Sequence, residues 1–213
     1  MKDALLEIIG DQSQPPALGE TSKYAQPTIV IGRHGKPALS RKIYLTSHEY
    51  KLWWQKYDEG TIVPNQKVPR NLISAVARVA KIMASPLPRA YDTAKAVAGG
   101  REIIKDELFV EAPLPPPPLP DFVRFRPRSW GFIARCTWFV GFSGGQESHD
   151  DAKIRAAKAA QKLAQIADVD GSVAVLAHGW FNRMMRPHLK NLGYVCIYDG
   201  GDWHWSYRVY RKA

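Results

Sequence analysis

Cysteine is scarce: Cys136 and Cys196 are the two in 213 residues, far apart and in no C-x-x-C pair. That argues against a disulfide scaffold and against a Cys-based zinc site, and it suits a reducing compartment. No H-E-x-x-H and no carboxylate cluster at ligand spacing occurs, so neither a metal nor any other cofactor is expected. Long apolar runs are missing too. The most apolar stretch, Trp130 to Phe142, is interrupted by Arg135 and Thr137. It is too short for a bilayer span, which takes about 20 apolar residues. The first residues, MKDALLEIIG, carry no long apolar run and no small-residue cleavage site, so no secretory signal is expected and a cytoplasmic location is. Acidic residues are in deficit, 20 Asp+Glu against 30 Lys+Arg, for a formal charge of +10. Such a chain attracts anions: phosphorylated metabolites, nucleic acid or an acidic membrane surface.

What is present is enough for a core. Hydrophobic residues make up 45% and aromatics 11%, which excludes wholesale disorder and fits one domain. Residues 1–26 read as a short helix and a loose arm, and residues 27–213 as the domain. Thr28-Ile-Val-Ile31 is a buried strand broken at Gly32. Thr46-Ser-His-Glu49 has capping-box spacing at a helix start. Helices are expected over Leu72–Ala80 and Arg89–Ala98, the latter stopped by Gly99-Gly100, with a strand over Lys81–Ala84 between them. Ile103-Ile104 reads as another strand. Pro113 to Pro120 is a polyproline-type connector. Ser148-His-Asp-Asp151 caps a long helix reaching about Ala167. Val173–Ala177 is a strong strand, a helix follows over Asn182–Leu192, and Trp203–Tyr210 alternates like a last strand. Alternating strands and helices predict a three-layer α/β/α sandwich with a mostly parallel sheet and a small cap segment, residues 112–147. Ligands of such sheets sit beyond the carboxyl ends of the strands. Three strands end at Gly32-Arg33-His34-Gly35, just before Ser85…Arg89, and at His178-Gly179.

Together those residues suit phosphoryl chemistry. Arg33 and Arg89 can clamp a phosphate and stay charged at any working pH. They also disfavour the imidazolium form of His34, leaving a nitrogen free to attack phosphorus. His178 can donate to the equatorial oxygens, and Gly35 and Gly179 let backbone N–H groups approach an oxyanion. Glu111 is placed to protonate the leaving oxygen, with Glu107 as the alternative. His48, His149, His188 and His204 read as structural or solvated.

Arg33-His-Gly35 after an apolar strand, Ser85-Pro-Leu-Pro-Arg89-Ala-Tyr-Asp-Thr93-Ala94, and Val175-Leu-Ala-His178-Gly179 together resemble the histidine phosphatase superfamily, the phosphoglycerate-mutase-like group. The resemblance covers roughly residues 28–210. It implies that His34 is the phosphorylated nucleophile and that Arg33, Arg89 and His178 form the phosphate pocket. Relatives often carry R-H-G-E-[ST] and an Asn six residues past the His; here Lys36, Pro37 and Ser40 stand there. Lys36 adds charge at the mouth, Ser40 can donate one hydrogen bond, and Trp180 replaces the more usual small residue after the second His-Gly. Gly35, Lys36, Ser40, Gly179 and Trp180 are therefore the candidate substrate-binding residues.

The arginines and aromatics of residues 121–145 fit a lid over the pocket better than a nucleic-acid or membrane surface, because in this family the segment between the acid and the last catalytic His supplies the variable cap. The expected function is a metal-independent phosphomonoester hydrolase that forms a phosphohistidine on a small anionic phosphorylated substrate. Alternatives are a phosphoglycerate-type mutase, a protein-phosphohistidine phosphatase and, in a different class, a non-catalytic anion- or protein-binding module.

Overall fold

The computed structural model describes residues 24–213. All but the end of the expected N-terminal arm lies outside them. The elements run β1 (Thr28–Arg33), α1 (Ser47–Glu59), α2 (Arg70–Ala77), β2 (Lys81–Ala84), α3 (Pro88–Ala98), β3 (Ile104–Lys105) and a 3₁₀ turn (Glu107–Phe109). They continue with α4 (Pro127–Phe139), α5 (His149–Asp170), β4 (Ser172–Ala177), α6 (Gly179–Asn191), β5 (Tyr194–Asp199) and β6 (Tyr207–Lys212).

The six strands form one sheet in the order β3-β2-β4-β1-β6-β5. β1 pairs in parallel with β4, and β2 in parallel with both β4 and β3, whereas β6 runs antiparallel to β1 and β5. The sheet is mixed: parallel where Arg33, Ser85 and His178 leave the strand ends and antiparallel at the edge formed by β5 and β6. The strand expected over Trp203–Tyr210 begins at Tyr207 instead, because the preceding residues form the turn that closes the β5–β6 hairpin.

Burial on both sides of the sheet makes the three layers. Along β1, Ile29 and Ile31 pack with Leu163 of α5 and with Phe181 and Met185 of α6. Val30 points the other way, into a cluster with Leu72 and Val76 of α2 and Ala94 and Val97 of α3. The period-2 alternation of a strand thus feeds two cores. α5 joins the sheet's core through Leu163 and the small side chains of Ala156, Ala159, Ala160, Ala164 and Ala167, which let the helix approach closely, while Ala152 packs with Trp138 and Ala112. Ser148 accepts the Asp151 N–H at its start, and Gly171 at φ 84° ends it in the left-handed conformation.

The parallel register places the chemistry. Arg33 is level with Ala177 and Ala84 with Leu176, so β1, β4 and β2 end together. The His34 N–H donates to the Ala177 carbonyl at 3.0 Å and the Ser85 N–H to that of Leu176 at 3.1 Å. A third aromatic cluster, Tyr50, Trp53, Tyr57 and Trp130, ties α1 to α4. α4 is the structured part of the expected cap, and its Arg128, Phe132 and Arg135 border the cleft above the strand ends.

Candidate active site

His34 follows β1 and is 2% exposed. Its Nδ1 lies 2.7 Å from the Gly35 carbonyl oxygen and donates to it, which leaves Nε2 with its lone pair. The His178 ring, at the N-cap of α6, is 5.3 Å away between centroids. The Ser85 hydroxyl and His178 Nε2 share a hydrogen bond of 2.8 Å, which does not engage the ring's Nδ1. That Nδ1 is buried and has no partner among the described residues. Burial holds both imidazoles well below the usual histidine range, and the Arg89 and Arg33 charges push the same way.

Arg89 sits in the first turn of α3 and is wholly buried. Its Nη1 donates to the Tyr57 carbonyl at 2.9 Å and its Nη2 pairs with Asp58 Oδ1 at 3.0 Å, while the guanidinium lies 4.5 Å from the Tyr57 ring centroid. The end of α1 therefore sets its direction. Arg33 Nη1 donates to the Asp202 carbonyl, and its Nε is buried without a partner among the described residues. Gly179 is required beside it: a Cβ there would lie 2.8 Å from Arg33 Cζ. Glu111 accepts the Phe181 N–H at 2.9 Å and the Trp180 N–H at 3.3 Å, at the start of α6, and lines the cleft with Arg33 and His34. Glu107, in the 3₁₀ turn, is exposed and does not line the cleft.

The structure thus gathers Arg33, His34, Arg89, Glu111, His178 and Gly179 at one sheet edge, with Trp180 on the cleft wall. It does not bring every candidate there. Lys36 is exposed; its backbone N–H donates to Gln66 Oε1 at 2.8 Å and its carbonyl accepts from Gln66 Nε2. Ser40 is also exposed, and its carbonyl accepts the Trp53 indole N–H at 3.1 Å. Neither lines the cleft, since the loop after Gly35 turns away to pair with residues 61–63. Gly35 does not offer its N–H to an oxyanion, as it donates to Thr93 Oγ1 at 2.8 Å. The smallness of Gly35 serves packing instead, because a Cβ would meet the Trp205 ring at 2.6 Å.

His204, read as structural or solvated, lies 5.6 Å from the His34 ring. Burial, then Arg33, Arg41 and Lys36, lowers it to about 4. Asp58 and Asp202 also escaped the sequence reading; Asp202 pairs with Arg183, Arg186 and Arg208 and fixes the loop that holds Arg33. A carboxylate whose role is to hold an arginine has no local sequence signature. Among the described residues no group of three or more His, Cys, Asp or Glu side chains could hold a metal ion, and no helix is long and apolar enough to cross a membrane.

The family model described as histidine phosphatase superfamily (branch 1) matches residues 68–195, more than half of the chain. The chain belongs to that superfamily, and its class is that of a phosphatase. The matched span holds Arg89, Glu111 and His178 and begins downstream of His34, which the sheet register carries to the same edge. Among solved structures, a mutant phosphoserine phosphatase of Entamoeba histolytica in complex with phosphoserine is similar at 16% identity. The likeness covers 77% of this chain and 80% of that one, with a TM-score of 0.50, and shows the fold. A mycobacterial glucosyl-3-phosphoglycerate phosphatase in complex with VO3 is 20% identical over 79% of this chain and 83% of that one, with a TM-score of 0.48. No curated protein matches the sequence.

Proposed function

We propose that the protein hydrolyses phosphomonoesters through a phosphohistidine on His34, without a metal. The observation that carries this reading is the state of His34: Nδ1 is tied to its neighbour's carbonyl, Nε2 keeps its lone pair, and two guanidiniums oppose protonation. Nε2 attacks phosphorus in line with the ester oxygen; the P–N bond forms as the P–O bond breaks. Glu111 gives its proton to the departing oxygen and then takes one from the water that attacks the phosphohistidine, releasing inorganic phosphate and restoring Nε2. His178, protonated on its unpartnered Nδ1, and the arginine N–H groups would supply donors for the equatorial oxygens, whose charge rises in the transition state. Held in place before the substrate arrives, these donors cost little reorganisation.

Incubation with an isotopically labelled phosphomonoester, followed by rapid quenching in alkali, is expected to leave label on the protein that acid removes. The His34→Ala variant is expected to take up none and to lose turnover by a factor of about 10⁴ or more. Full turnover in that variant ends the proposal.

A further inference from the structure

Six of the fourteen exposed large apolar side chains among the described residues lie on two short segments, 43–44 and 122–140; the other eight are spread from α1 to the β5–β6 turn. Single exposed apolar residues are ordinary, whereas a cluster marks a surface that something covers. The two segments are joined. Leu45 and Phe125 exchange backbone hydrogen bonds at 2.9 and 3.0 Å, and the Arg126 guanidinium lies 5.2 Å from the Tyr44 ring centroid.

The cap helix α4 extends this surface. Its inward side is already occupied: Trp130, Ala134 and Trp138 are fully buried, and both indoles donate to protein carbonyls. Its outward stripe runs Arg128, Phe132, Cys136 and Phe139 at helical spacing, and Val140 continues it. Phe132 is 72% exposed, Val140 84% and Phe122, just before the helix, 86%. A helix apolar on both sides suits two apolar surroundings, and the protein supplies one of them.

Charge identifies the other. Segments 41–45 and 122–140 contain six cations and no carboxylate. Five of the six, Arg41, Lys42, Arg124, Arg126 and Arg128, are exposed. The adjoining carboxylates are Asp121, Glu49 and, beyond Phe139, Asp150. Glu49 is shared between the α1 cap and Arg124, and Asp150 pairs with Lys153. An apolar groove of a protein partner would strip water from the guanidiniums. At a bilayer interface they meet lipid phosphates while the rings enter the boundary between headgroups and acyl chains. Single-stranded nucleic acid also combines cations with rings, but Ile43, Cys136 and Val140 offer no flat face to a base. We propose that this outer face of the cap docks peripherally on an anionic phospholipid bilayer. Arg41, Arg128 and Phe132 also border the cleft, so docking brings the mouth above His34 to headgroup level.

The two cysteines are native reporters, since both are exposed, Cys136 on the stripe and Cys196 on the edge strand β5. The vesicles are three parts phosphatidylcholine to one part phosphatidylserine. A polarity-sensitive dye on Cys136, in Cys196→Ser, should shift its emission to shorter wavelength when they are added. The same dye on Cys196, in Cys136→Ser, should not. In co-sedimentation the intact protein should partition about tenfold or more strongly onto these vesicles than onto phosphatidylcholine alone, a preference lost at about 1 M salt. Lys42→Glu with Arg126→Glu should remove that preference. Tyr44→Ser with Phe122→Ser should weaken binding about fivefold or more. Val169→Ser, at an exposed site on α5, should change nothing. Melting temperatures report whether the variants fold. Equal partitioning onto the two vesicle types overturns the assignment, as does binding undiminished in Lys42→Glu/Arg126→Glu or a dye shift at Cys196 as large as at Cys136. Binding of mixed-sequence single-stranded DNA without binding of vesicles overturns it too and gives the face to nucleic acid. Docking is read without substrate, so its failure leaves the phosphatase reading untouched.

Discussion

Glu111 is positioned by backbone as much as by side chains. Three N–H groups, from Ala112, Trp180 and Phe181, reach its two carboxyl oxygens and fix their direction at the start of α6. A group held this way can deliver a proton to one place, and only poor leaving groups need it. Glu111→Gln should therefore lower kcat on phenyl phosphate by about a hundredfold or more, and far less on para-nitrophenyl phosphate, whose phenolate departs unaided. Equal losses on the two esters in steady-state assays would remove Glu111 from the role of acid. The same residue shows what sequence could and could not decide. Glu107 and Glu111 are both carboxylates near the end of β3, and their spacing does not separate them. The 3₁₀ turn does, by leaving Glu107 in solvent and directing the chain through Phe109, which is fully buried.

At the level of elements, the central strands and every helix but α4 were legible because each carries its own punctuation; α4 lies inside the segment read only as a cap. The capping box of α1 is present as read, with Thr46 Oγ1 accepting the Glu49 N–H and Glu49 Oε2 accepting the Thr46 N–H. Thr46→Ala should cost about 1 kcal/mol. It should lower the melting temperature by a few degrees and leave kcat/KM within twofold, because Tyr57 and Asp58, which hold Arg89, lie at the far end of the helix. A loss of activity without a loss of stability would show that the cap acts on the site. β5 was not legible. It is an edge strand with largely exposed side chains, and its residues lack the alternation that marks a half-buried strand. Missing β5 meant missing the turn between β5 and β6, which delivers Asp202, His204 and Trp205 to the neighbourhood of His34. Trp205 holds φ at 64°, a left-handed conformation that is costly for a bulky residue. Its ring covers Gly35 and its indole donates to Gln66. No local pattern announces such a contact, since it depends on a hairpin meeting a loop far away in the chain.

For the molecule as a whole, the buried histidines make stability depend on pH in one direction. His34, His178 and His204 have pKa values lowered by folding, so below about pH 6.5 the unfolded chain binds protons that the native one refuses. Stability is then complete above pH 6.5 and declines as the pH falls toward the lowered values, by about 1.4 kcal/mol per pH unit for each group. Asp58, raised by burial, opposes this only near the carboxylate range. The melting temperature should drop by at least about 5 °C between pH 7.5 and pH 5; a flat profile in scanning calorimetry would contradict the burial of neutral imidazoles. The acidic limb of kcat/KM should lie below pH 6.5 for the same reason.

The place of β1 in the sheet also bears on how the protein comes to life during synthesis. This early strand has as its two neighbours β4 and β6, which are translated more than 140 residues later. A growing chain whose β5–β6 hairpin has yet to leave the ribosome holds β1 without one of its two partners, so the sheet edge beside His34 closes only once that hairpin has been made. Contacts so distant along the polymer also make for slow folding, and in that interval a strand of bare β-branched residues is what a chaperone would meet.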